Sequence, residues 1–264
     1  LLLERGADAF GGWGEVESPL PLAARLGWRR LCLDLLDRGV DPDARDPRGL
    51  CALHHACIAG DETLVRGLVR AGAFVAAPTP DGQTPLGLAL AHGHATVPRW
   101  LEWRQWSLPG RPLLPADLPA AAMQGDQGAV ERLIELGLPV DSPDAQGCTA
   151  LLRASGGGHV ALVDALLARG ADVTRTARTG ASPLSAAVSM RHVGIVERLL
   201  VAGARADQPL PGGITPLMVA AALGMPEMVG RLLAGRADAN ATDEQGHMPL
   251  HCAAIYAFQA RDRQ

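Results

Sequence analysis

The chain has 264 residues, 48% of them hydrophobic and 20% charged, with a formal net charge of −4 at pH 7. Nucleic-acid-binding domains usually carry a basic excess, so this balance argues against a nucleic-acid partner. No apolar run approaches the roughly 18 residues of a membrane-spanning helix. All 24 basic residues are Arg, which excludes a Walker-type phosphate loop, a lysine Schiff base and a protein-kinase lysine.

A 33-residue period sets the predicted elements in chain order. Leucine recurs at steps of 33, 33, 32, 33, 33, 33 and 33 residues, at positions 20, 53, 86, 118, 151, 184, 217 and 250. We call these leucines the anchors. An alanine follows every anchor three residues later, and most anchors are followed by glycine seven and nineteen residues later. Self-similarity at such a period is typical of a stacked repeat array.

Each unit begins with a short predicted helix that contains the anchor. Ser-Pro or Thr-Pro precedes the anchor at 18–20, 84–86, 182–184 and 215–217. The pair favours a helix start, because the hydroxyl caps a free backbone N–H and Pro lacks an N–H that would be unpaired there. The following alanine indicates that neighbouring helices lie too close for a larger side chain. The glycine seven residues after the anchor ends this helix.

A second predicted helix follows, with apolar pairs four residues apart, such as Ile195 and Val196 before Leu199 and Leu200. That spacing gives one buried stripe. Glycine nineteen residues after the anchor ends the helix, and turns such as DAQG at 144–147 lead to the next unit. The predicted fold class is therefore all-α.

The repeat resembles the ankyrin repeat. The family pattern G-x-T-P-L-H-x-A is nearly complete in DGQTPLGLA at 81–89, GITPLMVA at 213–220 and GHMPLHCA at 246–253. The resemblance implies stacked antiparallel helix pairs with short projecting turns, that is, a solenoid. We expect one domain over 1–264, with the tail of a repeat at 1–8, full repeats at 9–41, 42–74, 75–107, 108–139, 140–172, 173–205 and 206–238, and a partial repeat at 239–264.

The second repeat contains CALHHACIAG at 51–60, which is rich in metal-ligand residue types. Cys51, His54, His55 and Cys57 carry soft sulfur and imidazole groups that suit zinc. In register with the other repeats, however, Cys51 takes the helix-capping place and Cys57 a small buried place. The ankyrin resemblance implies that His54 joins neighbouring turns by hydrogen bonds. We therefore expect structural roles here, with no metal, no cofactor and no catalytic residue, and so not an enzyme.

The third repeat departs from the pattern at WLEWRQWSLPGRPLLPADLP, residues 100–119. Trp100 and Trp103 stand where other second helices carry charged residues, so these indoles, with Trp106, are predicted on the outer face. Exposed indoles there would form a costly apolar patch. We expect the Pro-rich segment to fold back over them as a lid. The alternative is an outer-face patch of Trp100, Trp103 and Trp106 that binds a partner.

The resemblance also implies a partner-binding surface, because ankyrin-like arrays dock proteins on turn tips and on the concave face of the first helices. Carried over residue by residue, this surface comprises Arg48, Leu50, Ile58, Asp81, Gln83, His92, Gln146, Cys148, Arg178, Thr179, Met190 and Tyr256. Its charges are mixed in sign. That favours an unidentified protein partner over nucleic acid or anionic lipid.

The predicted function is a non-catalytic protein–protein interaction module that is monomeric as a segment. The alternative is a regulatory or targeting segment of a longer protein, which the opening LLLERGAD, without an initiator Met, favours. The five cysteines have no paired spacing, which predicts free thiols and a cytoplasmic location. The abundance of Ala, Gly, Arg and Pro suggests a bacterial genome rich in G and C.

Overall fold

A computed structural model describes the backbone of residues 18–261 and the side chains of residues 18–255. Over that range the chain is helical, and the only β pairing is an isolated bridge between Arg45 and Cys51. The predicted all-α fold class is confirmed. The predicted repeat tail at 1–8 lies outside the described residues.

The chain divides into two compact units, residues 1–113 and 114–264. The α-helices described in the first unit are α1 Pro19–Arg25, α2 Arg29–Asp37, α3 Ala52–Ala59, α4 Glu62–Arg70 and α5 Pro85–Ala91. Those in the second unit are α6 Asp117–Met123, α7 Gln127–Glu135, α8 Ala150–Gly157, α9 Val160–Ala168, α10 Pro183–Ser189, α11 Val193–Val201, α12 Pro216–Ala222, α13 Pro226–Ala234 and α14 Pro249–Arg261.

Within each unit the helices form two rows. In the first unit α1, α3 and α5 pack in sequence, and α2 packs against α4. In the second unit one row contains α6, α8, α10, α12 and α14, and the other contains α7, α9, α11 and α13. The helices that contain the anchors are called first helices, and those of the other row second helices. Each repeat thus contributes to both rows, except where its second helix is missing.

The predicted caps explain why the first helices begin where they do. The Thr84 hydroxyl accepts a hydrogen bond from the backbone N–H of Gly87 at 3.1 Å, and the Ser182 hydroxyl one from Ser185 at 3.1 Å. Ser18 is the exception, since its side chain makes no capping bond. These hydroxyls pair N–H groups that have no partner inside the helix.

Six of the anchors are buried, and all six belong to repeats that have a second helix. Six of the eight are at most 2% exposed: Leu20, Leu53, Leu118, Leu151, Leu184 and Leu217. Leu86 is only half-buried, and Leu250 is 77% exposed. No second α-helix follows either of these two within residues 18–261. The anchors are therefore more exposed in the two repeats that lack a second α-helix than in the six that have one.

The third repeat has no second α-helix, which corrects the sequence prediction. A single 3-10 turn, Pro98–Trp100, stands in its place. Aligned with α4, the helix would start after His94, and Pro98 would fall four residues later. Proline there lacks the N–H for the first helical hydrogen bond, and its ring clashes with the carbonyl four residues back. The predicted outward register of the tryptophans fails for that reason.

Trp100 consequently lies inside the first unit and is 1% exposed. Its indole N–H donates to Glu62 Oε1 at 3.0 Å. The guanidinium groups of Arg66 and Arg99 lie over the ring, 4.9 and 4.7 Å from its centroid. Cation–π contacts of this kind contribute about 0.5–2 kcal/mol each. The hydrogen bond to Glu62 and the cation–π contact from Arg66 thus hold the Trp100 ring against α4.

The other two indoles complete a local cluster with Trp100. Trp103 is half-buried and donates its N–H to the Trp100 carbonyl at 3.0 Å, whereas Trp106 is 6% exposed. Their rings pack edge to face with centroids 5.6 Å apart. An exposed outer-face patch of three indoles is therefore wrong, because two of them are buried.

The Pro-rich segment after the tryptophans folds back, as a lid was expected to, but its contacts lie at the end of α4. We call residues 108–113 the strap. Leu113 donates its backbone N–H to the carbonyl of Arg70 at 2.9 Å. The backbone of Arg111 lies so close to Gly72 that a side chain on Gly72 would overlap it. The strap thus closes the C-terminus of α4.

We predict that Gly72→Ala destabilises the first unit more than Gly39→Ala. Both glycines follow a second helix with positive φ, +91° and +81°, so both substitutions carry a similar backbone penalty of about 1 kcal/mol. An added side chain at Gly39 meets open space, whereas at Gly72 it meets the strap. Urea unfolding should show a further loss of roughly 1–3 kcal/mol for Gly72→Ala. Equal losses would mean that the strap does not pack there.

We predict that Ala187→Leu destabilises the second unit. Ala187 is completely buried in α10 between α8 and α12, and overpacking such a site typically costs roughly 1–3 kcal/mol. The control is Ala253→Leu, which changes the corresponding position of α14. Ala253 is half-buried and borders an apolar groove of ≈ 450 Å³. Thermal unfolding should show a lower midpoint for Ala187→Leu than for the control, and the reverse order would contradict the packing argument.

Candidate protein-binding surface

The projecting turns are held by aspartates that accept backbone hydrogen bonds. Asp144 accepts from the N–H groups of Gln146 at 2.8 Å and Cys148 at 2.9 Å. The guanidinium of Arg153 also donates to this carboxylate, at 2.6 Å. Burial alone would raise the pKa of Asp144, but these hydrogen bonds outweigh it and lower the pKa. The turn tip is thus presented in a fixed conformation.

The second repeat builds the same turn with a histidine. Asp46 accepts from the backbone N–H groups of Arg48 and Leu50, both at 2.9 Å. His55 Nε2 lies 3.0 Å from Asp46 Oδ2, and both side chains are buried. His55 and Arg153 each stand nine residues after the aspartate they contact. The His55 imidazole is therefore part of the turn.

The neighbouring histidine joins two turns, as the resemblance implied. His54 Nδ1 accepts a hydrogen bond from the backbone N–H of Cys51 at 3.0 Å. His54 Nε2 then carries the hydrogen and donates to the carbonyl of Ala77 in the next turn, at 2.9 Å. Cys57 is completely buried, and burial raises its pKa to about 12. Across the described residues no group of three or more His, Cys, Asp or Glu side chains is arranged to hold a metal ion.

Most predicted surface residues lie at the surface. In the first unit Arg48, Asp81, Gln83 and His92 are exposed, and Leu50 and Ile58 are half-buried. In the second unit Gln146, Arg178, Thr179 and Met190 are exposed. The structure brings two of them together, since Arg178 donates its backbone N–H to the Gln146 carbonyl at 2.9 Å. The side chain of Tyr256 lies outside the described part of the chain.

Cys148 is the one predicted contact that the structure contradicts. It is 6% exposed and packs in a small core cluster with Leu152 and Ala177. Its neighbours come from its own repeat, through Leu152, and from the next repeat, through Ala177. Cys148 therefore stabilises the turn and does not face a partner.

Sequence reasoning missed a second apolar groove in the second unit, which we call the Met218 groove and which is distinct from the groove that Ala253 borders. It encloses ≈ 470 Å³ and is lined by Ser189, Ile214, Met218, Val219, Ala222, Leu223, Asp243 and Cys252. Met190, which was predicted, directly follows Ser189 and is 60% exposed. The sequence does contain a signal for it. Large apolar residues, Ile58, Met190 and Leu223, stand five or six places after an anchor, near the end of a first helix, where a loop residue would usually be polar.

The charges of the second helices are paired across neighbouring repeats. Within the first unit Arg29 lies 2.8 Å from Asp61. Within the second unit Arg198 lies 2.8 Å from Asp164, and Arg231 lies 2.7 Å from Glu197. Exposed pairs of this kind contribute only about 0–1 kcal/mol each. Their main consequence is that these arginines already have partners.

The stacked pairs and capped turns agree with a comparison of the sequence with known families. A family model of ankyrin repeats matches residues 20–102, 118–209 and 184–260, which together cover most of the chain. The chain belongs to the ankyrin-repeat family. Ankyrin repeats are generally protein-interaction modules, and the family is generally non-catalytic. Among residues 18–261 no helix is both long and apolar enough to cross a membrane.

Similar proteins share only part of their length with this ankyrin-repeat chain. Calmodulin-binding transcription activators 4 and 3 of Arabidopsis thaliana are 34% and 36% identical to it over 86 and 88 residues, which is 30% and 31% of the chain and 8% of each relative. The Ankyrin repeat and KH domain-containing protein CBG24701 of Caenorhabditis briggsae is 34% identical over 105 residues, 38% of the chain and 4% of the relative. These relatives are eukaryotic and do not support the expected bacterial origin.

We predict that the thiols react in order of their burial. Burial raises the pKa of Cys32 to about 11 and of Cys57 to about 12, so neither forms much thiolate at pH 8. Cys252 is half-buried and lines the Met218 groove. In the native protein iodoacetamide should modify Cys252 first, as peptide mass spectrometry will show. All five cysteines should react after unfolding without reductant, and fewer than five would contradict free thiols.

Proposed function

We propose that the chain is a non-catalytic module that binds a partner protein through its turn tips and the concave face of its first helices. The observation that carries this proposal is the exposure of large apolar side chains at the ends of first helices. Met190 is 60% exposed, Leu90 61% and Met123 57%. Exposed apolar side chains flanked by polar turn tips are typical of protein interfaces.

Charge supports a protein partner over nucleic acid. Net charge is −4, and the surface residues include both Arg178 and Asp81, so no field of one sign attracts a polyanion. We also propose that the segment is monomeric and acts in the cytoplasm, where free thiols persist. Size-exclusion chromatography with light scattering tests the first point, and fractionation of the source cells tests the second.

A second candidate function is a regulatory or targeting segment of a longer protein. It is favoured by the relatives, in which the matching stretch is only 4% to 8% of the whole. Other parts of such a protein would then supply catalysis or a membrane anchor. An antibody raised against residues 18–261 distinguishes the two, because an immunoblot of the source cells gives the size of the full polypeptide.

We predict that Met190→Glu weakens capture of the partner, whereas Val201→Glu does not. Both residues are exposed and apolar, at 60% and 90%, and both belong to the same predicted repeat. Met190 follows a first helix, and Val201 ends the second helix α11. Proteins captured from the source lysate by each variant should be quantified by mass spectrometry, with circular dichroism as the folding control. Equal loss with both variants, or loss only with Val201→Glu, would place the interface elsewhere.

A further inference from the structure

Three repeats carry an aspartate seven residues before the anchor: Asp46, Asp144 and Asp243. In each of them one carboxylate oxygen, Oδ1, accepts hydrogen bonds from the backbone N–H groups two and four residues later, at 2.7 to 2.9 Å. The other oxygen, Oδ2, remains for a side chain. The three turns are thus built alike and differ in the group that reaches Oδ2.

In two of the three repeats this group comes from the first helix, two residues after the anchor. His55 Nε2 lies 3.0 Å from Asp46 Oδ2. Arg153 donates to Asp144 Oδ2 through Nε at 2.9 Å and through Nη2 at 2.6 Å. Repeats without the aspartate carry apolar residues two places after the anchor, namely Leu22, Leu88, Ala120, Ala186 and Val219. A turn aspartate and a nitrogen-bearing side chain on the first helix therefore occur together.

The eighth repeat breaks this pairing, because Cys252 stands two residues after its anchor while Asp243 is present. Burial and the charge of Asp243 both raise the pKa of the Cys252 thiol, so this neighbour of the carboxylate carries no charge. Of the described side chains only that of His247 reaches Asp243 Oδ2, at 3.2 Å and from the turn itself. Since a carboxylate oxygen accepts two hydrogen bonds, Oδ2 can still accept one from the side of the helix.

This carboxylate lies at the Met218 groove. Asp243 and Cys252 both line the groove, together with the apolar side chains of Ile214, Met218 and Leu223. Asp243 is the one charged residue among the lining residues, and its side chain is 9% exposed. The groove therefore offers a partner an apolar wall and a negative charge. In the second and fifth repeats a side chain of the chain itself binds the corresponding carboxylate.

We propose that the Met218 groove binds a segment of the partner protein in which an Arg stands next to Leu, Ile or Met. The guanidinium donates to Asp243 Oδ2, as Arg153 does to Asp144, and the apolar side chain packs on Ile214 and Met218. Hydrogen bonds between a guanidinium and a carboxylate are among the strongest in proteins, and complementary charge selects among partners with similar apolar side chains. The proposal rests on the proposed function and assigns the chemistry of its partner.

Peptide selection tests this chemistry without assuming any partner. A phage-displayed library of random twelve-residue peptides is panned against the protein, and a selected peptide is synthesised with a fluorescein label for Kd measurement by anisotropy. Groove-dependent peptides are those that lose binding to Ile214→Ser, which removes part of the apolar wall at a residue 39% exposed. We expect them to carry Arg within two residues of Leu, Ile or Met. Finding no groove-dependent peptide, or none enriched in Arg, overturns the proposal.

Two matched variants test the role of the carboxylate. Asp243→Asn and Glu244→Gln each remove one negative charge from the same turn, and Glu244 does not line the groove. Asp243→Asn should weaken binding of the selected peptide by about tenfold, whereas Glu244→Gln should change the Kd by less than about twofold. Equal losses would reduce the effect to general charge attraction and overturn the pairing. If Met190→Glu still abolishes capture from lysate, the proposed function stands without it.

Cys252→Arg tests the open acceptor independently of any peptide. It supplies from the chain itself the group that Arg153 supplies in the fifth repeat. The substitution should raise the midpoint of thermal unfolding in the wild-type background but not in the Asp243→Asn background, and it should abolish binding of the selected peptide. A midpoint that does not rise, or that rises equally in both backgrounds, would show that Asp243 has no accepting position on that side and would overturn the proposal.

Discussion

The close approach of neighbouring first helices is the constraint on which the rest of the structure depends. The alanine three residues after the anchor is at most 1% exposed in seven repeats, from Ala23 to Ala220. A methyl group is all that fits between those helices. Six of the eight anchor leucines are buried beside these close contacts, and the core is built mainly from Ala, Leu and Val with few aromatic residues.

The second helices depend on this first row, and their presence can be followed repeat by repeat. Where the second helix forms, the anchor beneath it is buried. Where Pro98 prevents it, Leu86 is only half-buried, and the 3-10 turn that contains Trp100 packs against α4 and α5. The missing helix is compensated locally. Arg66 and Arg99 lie over the Trp100 ring, and the strap packs at the C-terminus of α4.

Much of the fold could be predicted because its signals are local. Ser-Pro and Thr-Pro starts, glycine ends and the alanine position each act within a few residues, and they recur every 33 residues. The tryptophans were misplaced because the repeat register assumed a helix that Pro98 forbids. Cys148 was misplaced because its burial depends on packing against Leu152 and, in the next repeat, Ala177. The groove beside Met190 combines side chains from three repeats, so no single stretch of sequence reveals it.

The proposed function rests on a difference between the surfaces of the first and second helices. The second helices pair their charges with one another, whereas the ends of the first helices leave apolar side chains exposed.

The packing of the repeats implies that first helices are stabilised by neighbours on both sides. Hydrogen exchange measured by mass spectrometry tests it within the second unit, where α10 lies between the first helices α8 and α12, whereas α14 is the last first helix described and packs mainly on α12. We expect α10 to exchange more slowly than α14, because only α10 has a first helix on both sides, and equal rates in the two helices would show that the second neighbour adds no stability.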